Sequence, residues 1–476
     1  MSTLPRDFSS QDRKARMAKA SHGLPVRPAA ERVNDFNEPI LWVDYDWARH
    51  EASRCIHCPD PAPCQRACPA KNDISYAMWL IEHGHFVDAA EVYRQTNALP
   101  EVCGRVCPQD RLCEGACVRG NKGGQTIPLG TLEAFTTTYQ RRTHGYQVPT
   151  APSTGDRVAI IGAGPAGLGC AEQLLQLGHA VTIFDARPAP GGLLTYGIPN
   201  FKLEKSLVNE IWNSLASAGA EFVGNTIIGK HRTIDELLHD GFQAVFIAIG
   251  VGVDVTLGAP GEHLPGVYKA IDFLVRSNTS PKLLPPELRH RPVIGKRIAV
   301  IGGGDTALDC LRTAMRLGAD DVFCLYRRTE TEMPGRGKDR KMALEEGVRF
   351  QYLTQPVAFH PGPDGSLAHI ECLRMELGEP DEKGRRKPIP VEGSNFIIPA
   401  DMAVLALGFH PDPTLTTATP GLQTRDWGLL FANPETGATT RLGLFGGGDI
   451  VTGPDLVVTA MTAGRKAAHI IHAYLG

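Results

Sequence analysis

Residues 157–186 read RVAIIGAGPAGLGCAEQLLQLGHAVTIFDA. An apolar run at 158–161 leads into Gly162-Ala-Gly164-Pro165-Ala166-Gly167, an apolar stretch of helical period follows, and a second apolar strand ends at Asp185. This is a complete strand–helix–strand signature for a nucleotide. Gly162 permits the tight turn, and Gly164 lets backbone N–H groups approach a pyrophosphate. Gly167 lets the helix close on the strand, with the helix N-terminus facing the phosphate charge. Asp185 stands where an acid accepts from a ribose hydroxyl. A glycine-rich turn alone would carry little, but here both strands, the helix and the acid accompany it.

The signature recurs from Arg297: RIAVIGGGDTALDCLRTAMRLGADDVFCLYRR. Gly302-Gly-Gly304-Asp305-Thr306-Ala307 carries alanine in place of the third glycine, a tolerated variant. At the end of its second strand Tyr326-Arg327-Arg328 stands where an acid would favour NAD. A guanidinium pair there suits the 2′-phosphate of NADP(H), through bidentate, charge-assisted bonds. The plainer alternative is two solvated arginines after a strand.

Around these signatures the chain is ordinary in bulk. Its 476 residues allow about three domains. A hydrophobic content of 42%, a charged content of 21% and a net charge of −3 describe a globular protein with no reason to bind nucleic acid. No apolar run approaches the ~18 residues of a membrane span, and the opening MSTLPRDFSSQDRKARMA lacks the apolar core of a signal peptide. The expectation is a cytoplasmic, reducing compartment with no membrane association.

Cysteines are unevenly placed: of 12, eight lie between Cys55 and Cys117. The order is Cys55-x2-Cys58-x5-Cys64-x3-Cys68-Pro, a helical stretch, then Cys103-x3-Cys107-Pro-x4-Cys113-x3-Cys117. Asn72 or Asp73 can cap a helix that puts Ile74, Met78, Trp79 and Ile81 near one face, and residues 86–93 read as a second helix. Disulfides are disfavoured in a reducing compartment. Zinc fits the first Cys-x2-Cys, but structural zinc usually shows two close pairs separated by a longer gap. Short uneven spacings with cysteines followed by proline resemble ferredoxin-type ligation, and eight thiolates suggest two [4Fe–4S] clusters. Cys170, Cys310, Cys324 and Cys372 are isolated and read as buried apolar thiols.

The remaining stretches read more simply. Residues 1 to about 50 are polar and mixed in charge, an arm or peripheral helix available to a partner. A loop at 120–130, a helix at 131–142 and a Pro/Thr/Ser-rich linker at 144–155 lead into the first nucleotide domain. After Asp185, residues 190–205 read PGGLLTYGIPNFKLEK; their glycines, Gly192 among them, and apolar side chains such as Leu193 suit close wrapping of a second cofactor moiety. A helix at about 205–218, a short strand and an apolar strand at 244–249 ending in Gly250 follow. Strand candidates at 351–353, 369–373 and 396–398 surround a polar insert at 378–387. Residues 403–407, then Gly408, repeat the strand-then-glycine form and are read as the return to the first nucleotide domain. The C-terminal LFGGGDI places Gly448 and Asp449 ahead of a helix at 456–471.

Two nucleotide signatures with a split C-terminal GGGD segment resemble glutathione-reductase-like flavoproteins, in which an NADP domain is inserted into an FAD domain. That resemblance implies an α/β fold: an α-helical iron–sulfur domain (1–150), an FAD domain in two parts (151–290 and 403–476) and an inserted NADPH domain (291–402). FAD would lie on the Gly162 loop, with Gly192, Leu193, Gly250, Gly408 and Gly448 around it and Asp449 on the ribityl chain. More specifically, QTNALPEVCGRVCPQDRLCEGAC, GGLLTYGIPNFKLEK, GGGDTALDC and YRRTETEMPG resemble the small subunit of bacterial NADPH-dependent glutamate synthase, from about residue 35 to the end. That family is also similar to the N-terminal half of dihydropyrimidine dehydrogenase and to the large subunit of the electron-bifurcating NADH-dependent ferredoxin:NADP oxidoreductase.

The family pattern implies crossed ligation. Cys55, Cys58, Cys64 and Cys117 would hold one cluster; Cys68, Cys107 and Cys113 would hold the other. The fourth ligand, a glutamine in dihydropyrimidine dehydrogenase, matches Glu133 here, leaving Cys103 as a spare thiol. Electrons would pass from NADPH through FAD and the clusters to a large subunit carrying FMN and iron–sulfur, which makes glutamate from glutamine and 2-oxoglutarate. The chain would then be an NADPH-oxidising enzyme subunit in a hetero-oligomer. The alternative partner is a ferredoxin or a bifurcating enzyme. The large subunit's N-terminal cysteine nucleophile has no counterpart, since Ser2 follows Met1, and no Cys-x-x-Cys pair follows Cys117 to pass electrons through a dithiol.

Overall fold

A computed structural model of the chain describes residue 8 and residues 12–380 and 384–476. Residues 1–7 and 9–11, Ser2 among them, and positions 381–383 of the polar insert lie outside the described residues. The cysteine-rich region is helical, built on Tyr45–Ser53, Pro63–Ala67, Ile74–Glu82, Phe86–Arg94, Pro100–Val106 and Leu129–His144. Asp73 caps its helix by accepting from the Tyr76 N–H at 3.2 Å, and of the expected face Ile74, Met78 and Ile81 are buried while Trp79 is half-buried. Among the described residues no helix is long and apolar enough to cross a membrane.

The N-terminal segment is not an open arm. Arg16, on the helix Arg13–Ala18, donates to the carbonyls of Ser53 and Cys55 at 2.7 and 2.8 Å and pairs with Glu82. Arg32, on Ala29–Arg32, is 2% exposed and donates to Glu346 of the second nucleotide domain at 2.7 Å. Mixed charge suggested an arm or peripheral helix available to a partner; from residue 12 its arginines instead find carbonyls and carboxylates of their own chain, and the segment is a clasp.

The first nucleotide sheet is parallel throughout, in the order Leu444–Gly446, Ala244–Ile247, Arg157–Ile161, Ala180–Phe184, Glu221–Val223. Strand order reverses beside Arg157–Ile161, and a ligand crevice opens at the carboxyl ends of the strands at such a point. Helices Pro165–Gln176 and Val457–Leu475 touch backbone to backbone: a Cβ on Gly464 would sit 1.9 Å from the Ala166 carbonyl oxygen. That contact brings the C-terminal segment onto the first glycine loop.

The second sheet runs Val267–Lys269, Met402–Leu405, Arg297–Ile301, Asp321–Leu325, Arg349–Gln351. An antiparallel sheet of Thr354–Pro361, Leu367–Pro380, Arg386–Pro390 and Phe396–Pro399 is appended to it. Two boundary expectations are corrected here. The stretch 403–407 was read as the return to the first domain, yet Met402–Leu405 is an inner strand of the second, paired with Arg297–Ile301 on one side and Val267–Lys269 on the other. The second unit also starts before 291, because it includes Val267–Lys269. A short apolar run ending in glycine marks any strand buried on both faces, and does not say in which sheet. The two crossings between the units lie side by side, Val253–Asp254 pairing antiparallel with Phe409–His410. Helix Ile234–His239 was also missed, although Thr233 and Glu236 form a capping box that was readable in advance.

Candidate cofactor sites

The first site gathers three loops. Gly162, at φ +106°, turns the chain so closely under Ala248 that a Cβ would lie 2.4 Å from that carbonyl oxygen. A Cβ on Gly164 would meet nothing within 4 Å, so the loop presents bare backbone to open space ahead of Pro165, the first residue of its helix. Gly192 packs on Gly164, its Cβ position 2.8 Å from the Gly164 Cα, and Leu193 next to it is 40% exposed. Gly448 lies against Ala166, with a Cβ position 2.8 Å from the Ala166 Cβ. Gly167 packs on Gly162, as expected of the third glycine. Gly250, at φ +66°, has no neighbour within 4 Å of its Cβ position.

Asp185 holds this turn together. Its Oδ2 accepts from the Ala163 N–H and its Oδ1 from the Arg187 N–H, both at 2.7 Å. Burial raises its pKa while those two donors oppose the rise. Each carboxylate oxygen retains accepting capacity, so a ribose hydroxyl can be added to the set. Burial, with the like charge of Asp455, pushes the Asp449 carboxyl up to about 7.

The second site is a cavity of about 830 Å³. Gly302, Gly304, Asp305, Thr306, Arg327, Arg328 and Gly408 all line it; Gly408 was expected at the first site. Asp305 is engaged by the protein, accepting from the Arg336 N–H at 2.8 Å with Arg111 at 3.9 Å. Arg328 donates through Nε to the Arg386 carbonyl at 2.8 Å. Burial lowers the pKa of Arg327, and the adjacent cations Arg328 and Arg385 lower it further. Cations gathered against one another in this way fit an anionic group. Arg385 is the residue that sequence reasoning missed: it belongs to the polar insert, whose only signal was its run of basic residues.

The cysteines fall into two sets. Cys55, Cys58, Cys64 and Cys117 line one cavity, drawn together from both ends of the helical unit. Burial pushes the Cys64 thiol up to about 12, with Cys117 and Cys58 adding to it. In the other set burial pushes Cys68 up to about 11, and the charge of Glu133 and the Cys107 thiol add to that shift. Cys113 feels Glu133, Cys68 and Cys107 in the same way. Glu133 Oε1 accepts from Asn97 Nδ2 at 3.0 Å and Asn72 Nδ2 at 3.2 Å, and burial holds its carboxyl up at about 8. Among the described residues no three His, Cys, Asp or Glu side chains converge as ligands of a single ion. A [4Fe–4S] cubane is bulkier and needs its thiolates further apart, so the two sets suit it better than zinc. Cys103 lies beside Cys107 and donates to Asn97 Oδ1 at 3.6 Å.

The helical unit is tied to the first nucleotide domain through residues 95–98: the Ala98 N–H donates to Met461 Sδ at 3.5 Å and Arg465 to the Gln95 carbonyl at 3.1 Å. Cys170, Cys310, Cys324 and Cys372 are all 0% exposed, and Cys324 donates to the Gly302 carbonyl at 3.1 Å, behind the second glycine loop.

Two family models match the chain: dihydropyrimidine dehydrogenase domain II, 4Fe–4S cluster, over residues 32–145, and pyridine nucleotide-disulphide oxidoreductase over residues 156–464. The chain is 44% identical to the putative oxidoreductase AegA of Escherichia coli K12, over 96% of this chain and 70% of that protein. It is 43% identical to the glutamate synthase [NADPH] small chain of Halomonas elongata, over 95% of both. Among solved structures, Mycobacterium tuberculosis FprA in complex with NADPH superposes with a TM-score of 0.57 at 23% identity, over 68% of this chain and 85% of that one. This last likeness speaks for the fold.

Proposed function

The chain belongs to the pyridine nucleotide-disulphide oxidoreductase family, in the branch that carries a 4Fe–4S domain and includes the glutamate synthase small chains, and from that premise we propose that it is the NADPH-oxidising electron-input subunit of a glutamate synthase. Its cofactors are FAD and [4Fe–4S] clusters, which when bound exchange two-electron hydride chemistry for one-electron transfer. The observation that carries the reading is the joining, in one chain, of an arginine-walled nucleotide cavity to two cysteine sets, with the helical unit tied to the first nucleotide domain through residues 95–98 and to the second by Arg336, which donates to the Arg105 carbonyl at 2.9 Å.

Each residue then has a task. Arg327 and Arg385, with Arg328 fixed by the Arg386 carbonyl, grip a 2′-phosphate. The Gly302 loop and the helix Asp305–Arg316 receive the pyrophosphate of NADPH; the Gly162 loop and Pro165–Gln176 receive that of FAD. Asp185 accepts from the FAD ribose, and Asp449 from the ribityl chain. Cys55, Cys58, Cys64 and Cys117 hold one cluster; Cys68, Cys107, Cys113 and Glu133 hold the other. Among the described residues no cysteine pair stands ready for dithiol exchange after Cys117, so electrons leave by way of the cysteine unit. The partner is a large subunit that binds this unit and carries its own flavin and iron–sulfur groups.

The test is reconstitution. The isolated chain should oxidise NADPH with ferricyanide or a tetrazolium dye, and should form no glutamate from glutamine and 2-oxoglutarate. Adding a glutamate synthase large subunit should start synthesis. Glutamate formed by the isolated chain would refute the subunit reading. One observation favours a second reading, electron supply to a different acceptor: identity to AegA is as high as to the small chains, and AegA is the longer protein. Rapid reduction of a ferredoxin, with no synthesis on adding a large subunit, would decide for it.

A further inference from the structure

Tyr93 lies on the helix Phe86–Arg94, is 1% exposed, and its hydroxyl has no hydrogen-bond partner among the described residues. An unsatisfied buried hydroxyl is destabilising, and a phenylalanine would fill the same space without that cost. Tyr93 packs in the same buried core as Cys68, Cys103 and Cys107, with Cys64 and Cys113 packed against that core. Besides burial, the groups that hold its proton on are Glu133, Cys113, Cys64 and Cys68, in that order. Three of these belong to the second set and one to the first. The end of the helix is anchored to the same place: the Tyr93 carbonyl accepts from the Asn97 N–H at 3.0 Å, and the Asn97 side chain donates to Glu133.

We infer that the Tyr93 hydroxyl donates a hydrogen bond to the cluster held by Cys68, Cys107, Cys113 and Glu133, and so sets that cluster's reduction potential. The inference rests on the ligand reading above. A hydrogen bond to a cluster sulfur favours the more negative, reduced form, and so raises the potential. Tyr93 is a positioning residue: it changes no bond of the reaction and transfers no proton.

The experiment is a redox titration of the holoenzyme followed by electron paramagnetic resonance, with iron and sulfide analysis of every sample. Tyr93→Phe should keep both clusters and move one midpoint to a more negative potential, leaving the other unchanged. Replacing Tyr93 with 3,5-difluorotyrosine preserves the ring and gives a stronger donor, so the same midpoint should move the opposite way. If the phenylalanine variant loses iron, the fluorinated protein alone decides. Midpoints that stay put in the fluorinated protein overturn the inference while leaving the ligand reading intact. A wild-type protein with one cluster overturns the ligand reading, and this inference with it.

Discussion

Lys202 Nζ lies 2.8 Å from Asp309 Oδ1, joining the loop that wraps the first cofactor site to the helix that opens the second. The same ammonium is 3.1 Å from Asp339 Oδ2, and all three side chains are at least nine-tenths buried. Removing Lys202 strands Asp309, while Asp339 keeps Arg312 at 3.1 Å, and stranding one partner of a buried ion pair costs about 3–5 kcal/mol. Lys202→Met should therefore lower the stability of the holoenzyme by that order in denaturant titration, whereas Lys202→Arg should keep much of it. A loss below about 1 kcal/mol, the scale of an exposed pair, would show that the contact contributes little to joining the two units.

Glu346 gives a pH signature. Burial works to raise its carboxyl, but Arg312 and Arg316 outweigh burial and bring it from 4.5 down to about 2. The folded value is below the unfolded one, so the stabilisation is fully present above about 4.5 and is lost as pH falls toward about 2. The shift corresponds to roughly 3 kcal/mol. The stability gap between wild type and Glu346→Gln should be wide at neutral pH and narrow steadily below 4.5. A gap that does not change with pH would mean the arginines do not hold the carboxylate ionised.

Nucleotide choice should rest on arginines. A hydrogen bond to a charged group is worth about 1.5–3 kcal/mol, and each 1.4 kcal/mol is about tenfold. Arg327→Ala should then weaken NADP+ roughly 10- to 100-fold and leave NAD+ unchanged, measured by equilibrium titration of the oxidised protein with each nucleotide. Arg385→Ala should act in the same direction. Equal losses for both nucleotides would assign these side chains to the fold.

Much of this architecture was legible because short-range signals carry it. Gly162, Gly164 and Gly167 announce a turn whose backbone has little other use, and Arg327 follows its strand at the position proposed to select the ribose substituent. What was not legible depends on which strands meet. Met402–Leu405 has the same apolar character as Ala244–Ile247, and only pairing with Arg297–Ile301 assigns it to the second sheet. Arg385 reaches the cavity on a hairpin whose register no local pattern specifies. The clasp formed by Arg16 and Arg32 was hidden for a related reason: a mixed-charge segment looks solvated until its partners, more than 300 residues away for Arg32 and Glu346, are known.

Asn97 stands between the two candidates for the last ligand of the second cluster, donating to Glu133 and accepting from Cys103. The Cys103 thiol is thus already used as a donor, while Glu133 is buried among Cys68, Cys107 and Cys113 with only one oxygen bonded to amides. Wild-type protein should hold about eight irons per chain, four per cluster. Cys64→Ser should remove one cluster, whereas Cys103→Ser should keep both. Glu133→Ala should lose the second cluster, and Glu133→Gln should retain it, because an amide oxygen can occupy the same position. If Cys103→Ser loses iron and Glu133→Ala keeps it, the thiol is the ligand and the carboxylate is only its neighbour.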